Sequence, residues 1–332
     1  MTDQVLLDTA QRLFRDYCNK DSWDAAERGE FPEALWQALQ DNGFAEMALP
    51  DSGFELGDLF AVLRIAGAHA APLPLAEYLL GARWLGRSGE RVSVGFSDAV
   101  SGVAARTVQQ VPWGRCADWV LALPAEMNSV QAQDLMAPVS MDCIRPTTTA
   151  TAAGVNLTGE ARDDIAGESV EAINVEAAYA LLALARAVQM SGCMSTILEL
   201  ALTYATEREQ FGRSISKFQA IQHNLAVAAA EVAAAQRASD SAVAALGSER
   251  FLLDLAAAKA RVGEAAGIVA EIAHQVHGAM GFTHEHQLHH FTRRLWAWRD
   301  EYGNEAEWQQ LLGNAVAKAG ADQAWGLIAT RA

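Results

Sequence analysis

Four cysteines in 332 residues (Cys18, Cys116, Cys143 and Cys193) are too few and too scattered for a disulfide framework. No CxxC pair offers a zinc ribbon, and the usage fits a reducing compartment. Basic charge is also scarce. The 25 Lys and Arg residues stand against 41 Asp and Glu, a formal net charge of −16. A polyanion such as DNA is repelled overall, so nucleic acid is a poor partner. An anionic cofactor stays open, because its phosphates sense local donors and the chain has local arginine clusters. The start, MTDQVLLDTAQRLFRDY, lacks the basic and then apolar pattern of a signal peptide. No apolar run is read as reaching the roughly 20 residues of a membrane span, since Arg, Glu, Lys and Gln interrupt the Ala-rich stretches. These absences predict a cytoplasmic protein without membrane insertion. GxSxG, P-loop and Rossmann fingerprints are missing, as is any repeat of fixed period.

What is present falls into three zones, 1–90, 91–166 and 167–332. In the first, Leu6, Ala10, Leu13 and Phe14 recur at helical spacing. So do Leu35, Leu39 and Phe44, across a helix end at Gly43. Pro72, Pro74 and the SGFELGD stretch supply turns. In the second zone RVSVGF, ADWVLAL and GVNLTG are short β-rich runs between turn residues, which predicts a small β domain of five to seven strands. TTTATAAG reads as a polar loop or strand edge. The third zone is helical and Ala-rich. A helix of about 30 residues, roughly 45 Å long, runs through YALLALARAVQMSGCMSTILELALTYATE. A second helix is predicted from Ile215, Phe218, Ile221, Leu225 and Val232. After a break at Gly247, a third helix capped by Ser248 follows. Small Ala side chains let such helices pack closely as an antiparallel bundle.

Two segments carry chemistry. In REQFGRSISKFQAIQ, Arg208 stands just past a helix end, followed by Gln210, Phe211 and Gly212 at a turn. A guanidinium there can fork onto a pyrophosphate, a Phe can cover a flat ring edge, and Gly permits the tight turn. The bland alternative is an interhelical turn with an exposed Arg. In QVHGAMGFTHEH, a helix ends at Gly278 and a Gly281-Phe282 turn leads to a helix capped by Thr283. Backbone bared by glycine beside Gln275 can approach a cofactor, but a plain helix-turn-helix junction has the same sequence.

The two segments in this order, with long helices between them, resemble the C-terminal helical domain of acyl-CoA dehydrogenases. FPEALWQALQDNGFAEMALP and the GDLFAVLRIAGAHAAPLPLAEYLLGARWL stretch resemble the family's N-terminal helical domain, and VPWGRCADWVLAL its middle domain. The chain looks closest to short members from bacterial steroid and CoA-thioester degradation. The resemblance implies a mainly helical protein: an N-terminal helical domain, a small central β barrel or sandwich, and a C-terminal antiparallel helical bundle. It implies FAD shared across a subunit interface. Arg208 would meet the pyrophosphate, with Gln210, Phe211, Ile215, Phe218 and Gln219 lining the site and Gln275 and Gly278 approaching the adenine side. It further implies an acyl-CoA substrate, α,β-dehydrogenation by a carboxylate base with hydride transfer to FAD, and electron-transfer flavoprotein as electron acceptor of an active chain. The partner chain would be a second copy or a related dehydrogenase.

The family's base is a Glu immediately before a Gly. Here Tyr302 precedes Gly303, which leaves the adjacent Glu301 as the candidate base or as a solvated helix-end carboxylate. A second family position for the base, on the long helix, holds Leu182. The middle-domain segments that hold the flavin ring in the family have no counterpart here. Three readings therefore stand: a FAD-dependent dehydrogenase using Glu301, a non-catalytic subunit of a mixed assembly, and a homo-oligomer that kept the fold without FAD. The histidines from His274 to His290 suggest metal by number. Their spacing forms no single helical face with a carboxylate, and no metal site is expected. Arg293, Arg294 and Arg299 either meet CoA phosphates or balance nearby acids.

Overall fold

A computed structural model describes residues 4–97, 105–130 and 135–329, with 105–106, 148–153 and 328–329 by backbone alone. Five helices open the chain: α1 (Gln4–Tyr17), α2 (Lys20–Glu27), α3 (Glu33–Asp41), α4 (Leu56–Ala68) and α5 (Leu75–Leu85). The spacing read in α1 is the one that packs: Ala10, Leu13 and Phe14 are buried. Gly43 takes a left-handed φ of 77° just beyond α3.

Five strands follow: β1 (Val92–Ser97), β2 (Ala105–Pro112), β3 (Trp119–Pro124), β4 (Pro138–Val155) and β5 (Ala161–Glu176). They close into a barrel in the order β1-β2-β5-β4-β3, and β1 and β3 pair in parallel. Val108, Val111, Val120, Ala122, Ile144 and Ile165 fill its interior. The TTTATAAG stretch lies inside β4. GVNLTG is mostly the turn between β4 and β5, where the Asn156 side chain accepts from the backbone N–H groups of Thr158 and Glu160. The β region also runs past residue 166, because β5 continues to Glu176 by pairing with β4 at Cys143↔Glu171 and Val139↔Val175. The Ala and acidic residues of this stretch hide its alternation.

α6 (Ala178–Glu207) is the axle of the C-terminal bundle, with α7 (Gln219–Ala244), α8 (Phe251–His277), α9 (Leu288–Asp300), α10 (Glu305–Ala319) and α11 (Ala321–Ala329) around it. Between α6 and α7 lies a ribbon of two short strands, β6 (Glu209–Gln210) and β7 (Arg213–Ser214). α4 and α6 cross backbone on backbone. A Cβ on Gly67 would sit 2.1 Å from the Gln189 carbonyl oxygen, and one on Gly192 would sit 2.0 Å from that of Arg64.

α6 contains an 18-residue window of mean hydropathy 1.4, long and apolar enough by composition to cross a bilayer, contrary to the sequence expectation. Within this fold 83% of that window is buried, so the apolar length serves the protein core. Three expected helix starts also move. Ile215 lies in a short 3-10 turn that follows the ribbon and Phe218 is the cap before α7, so the helix begins only at Gln219. Ser248 donates back to the Ala245 carbonyl and leaves the start of α8 to Arg250. Thr283 donates to the Met280 carbonyl, and α9 begins only at Leu288.

Candidate functional site

The end of α6, the ribbon and the end of α8 surround a cavity of about 590 Å³, within the usual range for small-molecule sites. Arg208, Gln210, Phe211, Ile215, Phe218, Gln275 and Gly278 all line it. Gln219, expected with them, is the exposed first residue of α7 and does not line the cavity. Tyr204 and His277 do line it, with rings stacked at 4.5 Å. Tyr204 was legible as the residue one helical turn before Arg208; nothing in the sequence marked His277 as its ring partner.

The ribbon's shape explains the local sequence. Gln210 pairs with Arg213, so Phe211 and Gly212 form a two-residue hairpin loop with φ of 53° and 77°. Such loops favour residues without a crowded Cβ. A phenylalanine there is strained, and its ring is 91% exposed, so the fold gains little from it. Its edge faces Phe218 at 6.1 Å, and Arg213 stacks over Phe218 at 4.3 Å. Among the described residues the Arg208 guanidinium has no ion-pair or hydrogen-bond partner, nor do the side-chain amides of Gln210 and Gln275. Uncommitted donors, an open aromatic face and Gly278 (φ 58°) meet at one cavity. This donor set fits the phosphate and adenine end of a dinucleotide such as FAD.

Glu301 lies elsewhere, where α5, β5, α6 and the end of α9 meet. Arg162 of β5 and Arg186 of α6 both pair with its carboxylate, Arg186 through Nε at 2.5 Å. Arg186 also pairs with Glu77 of α5 and donates to Gln189 at 2.8 Å. Glu77 and Arg186 are almost wholly buried, at 0% and 3% exposure. Tyr302 takes a left-handed φ of 56°, and its phenol donates to Glu77 at 3.2 Å. Lys259 of α8 donates to the Glu301 carbonyl at 2.8 Å, satisfying the end of α9.

The electrostatics of this junction follow from the pairs. Burial acts to raise the Glu301 carboxyl, but Arg162 and Arg186 outweigh it and hold the group below its ordinary range. A general base works best with a pKa near the operating pH. The doubly paired Glu301, held below its ordinary range, does not meet that condition. Burial and Glu77 push the Tyr302 phenol well above its ordinary value, which keeps it protonated. Burial and Arg186 bring the Lys259 ammonium down to about 7. Leu182 is fully buried core. The space where the three zones meet, between Pro74, Pro112, Arg162, Arg186 and Trp298, is only about 20 Å³. A cleft of about 290 Å³ beside it reaches Phe96, Asp300, Glu301 and Tyr302. A flavin ring does not fit the inner space as it stands. Arg293, Arg294 and Arg299 balance acids: they pair with Glu27, Glu160 and Glu305.

A five-stranded barrel between two helical units, with a lined pocket on the C-terminal bundle, is the architecture of the acyl-CoA dehydrogenase fold. The family description "Acyl-CoA dehydrogenase, C-terminal domain" matches residues 175–305. The acyl-CoA dehydrogenase IpdE2 of Mycolicibacterium smegmatis is 25% identical over 301 residues, covering 88% of this chain and 91% of that protein. Among solved structures, the ChsE4-ChsE5 complex from Mycobacterium tuberculosis has a TM-score of 0.80 at 20% identity, covering 97% of this chain and 99% of that one. The Tcur3481-Tcur3483 steroid ACAD has a TM-score of 0.79 at 21% identity, covering 95% and 97%. The chain belongs to the acyl-CoA dehydrogenase family.

Proposed function

We propose that this chain is a non-catalytic subunit of a mixed acyl-CoA dehydrogenase, lending the Arg208 pocket to a FAD whose reactive ring and base belong to a related catalytic chain. The observation that carries this reading is the double ion pair on Glu301. The acid nearest the family's base position is neutralised by two guanidiniums, and Tyr302 fills the position before Gly303. The contrast with the unpartnered Arg208 supports it, as does the likeness of fold to a two-component complex.

In this reading bound FAD supplies hydride acceptance for dehydrogenation of an acyl-CoA. Arg208 neutralises and orients the diphosphate through its forked N–H groups. Phe211 shields a flat ring from water, and the Gln210 and Gln275 amides supply donors. Arg186 and Glu301 clamp the bundle to the barrel and α5, and move no proton. The substrate, the cytoplasmic location and electron-transfer flavoprotein as acceptor of the assembly belong to the same proposal.

The test is co-purification with a related dehydrogenase chain, followed by flavin absorbance. The reading expects a colourless chain alone, a yellow mixed assembly that bleaches with a suitable acyl-CoA, and turnover that survives Glu301→Gln. Full turnover by the chain alone, abolished by Glu301→Gln, would overturn it in favour of an autonomous dehydrogenase.

A further inference from the structure

The histidine-rich stretch does not converge on the Arg208 pocket alone. His289 and His290, at the start of α9, pack against α2, and one ligand atom each from Glu27, His289 and His290 lies within 4.8 Å of the other two. His290 is wholly buried between two carboxylates. Its Nδ1 is 2.9 Å from Glu27 Oε1, and its Nε2 is 3.4 Å from Asp24 Oδ1 and has no hydrogen-bond partner. A neutral imidazole has one N–H and one lone pair. Whichever tautomer His290 adopts, one carboxylate faces a lone pair.

His289 shows a complementary arrangement. Its Nδ1 sits 2.7 Å from the His286 carbonyl oxygen, which can only accept, so the proton is on Nδ1. The Nε2 lone pair is then free, and that atom is buried without a partner. A backbone carbonyl holding Nδ1–H while Nε2 is presented is the usual outer-shell arrangement of a metal-binding histidine.

We propose that Glu27, His289 and His290 form a binding site for a divalent cation of the zinc type, which ties α2 to α9. Tetrahedral zinc with ligands at about 2.0–2.1 Å holds them roughly 3.4 Å apart, so the three groups draw together by about 1 Å on binding. Asp24, one turn before Glu27 on α2, faces the other nitrogen of the His290 ring, where its carboxylate would accept from Nε2–H while Nδ1 holds the metal beside Glu27. Glu27 keeps its Oε2 on Arg293 at 2.9 Å and turns Oε1 to the metal.

The experiment adds zinc chloride to chelator-treated full-length chain, with bound metal counted by atomic emission and affinity measured by calorimetry. The expected result is one zinc per chain, with affinity at least tenfold weaker in His289→Ala and in Glu27→Gln. His289 and Glu27 are partly exposed, and circular dichroism confirms that both variants stay folded. His284→Ala, at an exposed neighbour, leaves binding unchanged. No stoichiometric zinc, or equal affinity in wild type and both site variants, overturns the proposal. Loss of binding in His284→Ala with retention in Glu27→Gln overturns it too, because the site would then not include α2.

Discussion

Arg186 and Arg208 are both attached to α6, about 33 Å apart along the helix. Arg186 is buried and shared between Glu77, Glu301 and Gln189, and Arg208 is exposed without a partner among the described residues. The same side chain is spent on cohesion at one end and left available at the other. A buried charge is tolerable only when paired, so the pairs at the Arg186 junction serve cohesion. A free guanidinium beside a strained, exposed phenylalanine stabilises the fold little, which points to a ligand. In the proposed reading the helix runs from a structural junction to a binding pocket, and four measurements test that polarity.

The largest effect is expected from Arg186→Met. It leaves Glu77 buried and uncompensated and strips Glu301 of one partner, a cost of about 3–5 kcal/mol by urea denaturation. A loss under about 1 kcal/mol would show that water reaches the junction.

Next comes pH. Lys259 titrates at about 7 in the fold against an ordinary value of 10.5. Between those values the unfolded chain binds more protons, so stability rises with pH from about 7 towards 10.5, by an amount on the order of a few kcal/mol. Lys259→Met removes the rise. Glu301 acts at the acid end, and its folded pKa is lowered too. Its lowered folded pKa stabilises the protein above the ordinary carboxylate range, and that contribution is lost as pH falls through the folded pKa. Glu301→Gln flattens this acid limb in a stability–pH series.

Arg208→Ala tests the other end. Loss of a charge-assisted contact to a diphosphate costs about 1.5–3 kcal/mol, roughly 10- to 150-fold in FAD affinity of the mixed assembly. Thermal stability of the isolated chain stays within about 0.5 kcal/mol, as at an unconstrained surface site. The smallest effect belongs to Phe211→Gly. Relief of the left-handed strain raises stability by up to about 1 kcal/mol, while flavin retention in the assembly falls. A stability gain without flavin loss would remove Phe211 from the site.

Much of the binding pocket was legible because its residues are local. Arg208, Gln210, Phe211, Ile215 and Phe218 lie within eleven positions, and a helix end, a ribbon and a turn carry them to one cavity lip. Gln219 escaped because the direction of the first residue of α7 depends on where the helix starts, and the ribbon sets that. The surroundings of Glu301 were not legible for a different reason. Its partners Glu77, Arg162 and Arg186 are distant in the chain, and nothing local says that two guanidiniums meet there. The same holds for Glu27 and His290, 263 residues apart and in contact.

Hydrophobic period and turn residues, which act over a few positions, were enough to determine the helical class, the long core helix and the β interlude. Tertiary structure alone decided that the barrel closes and that β5 extends to Glu176, because strand pairing is non-local. It also decided which arginine is consumed by packing and which is left free. That choice depends on burial, and burial is a property of the assembled core.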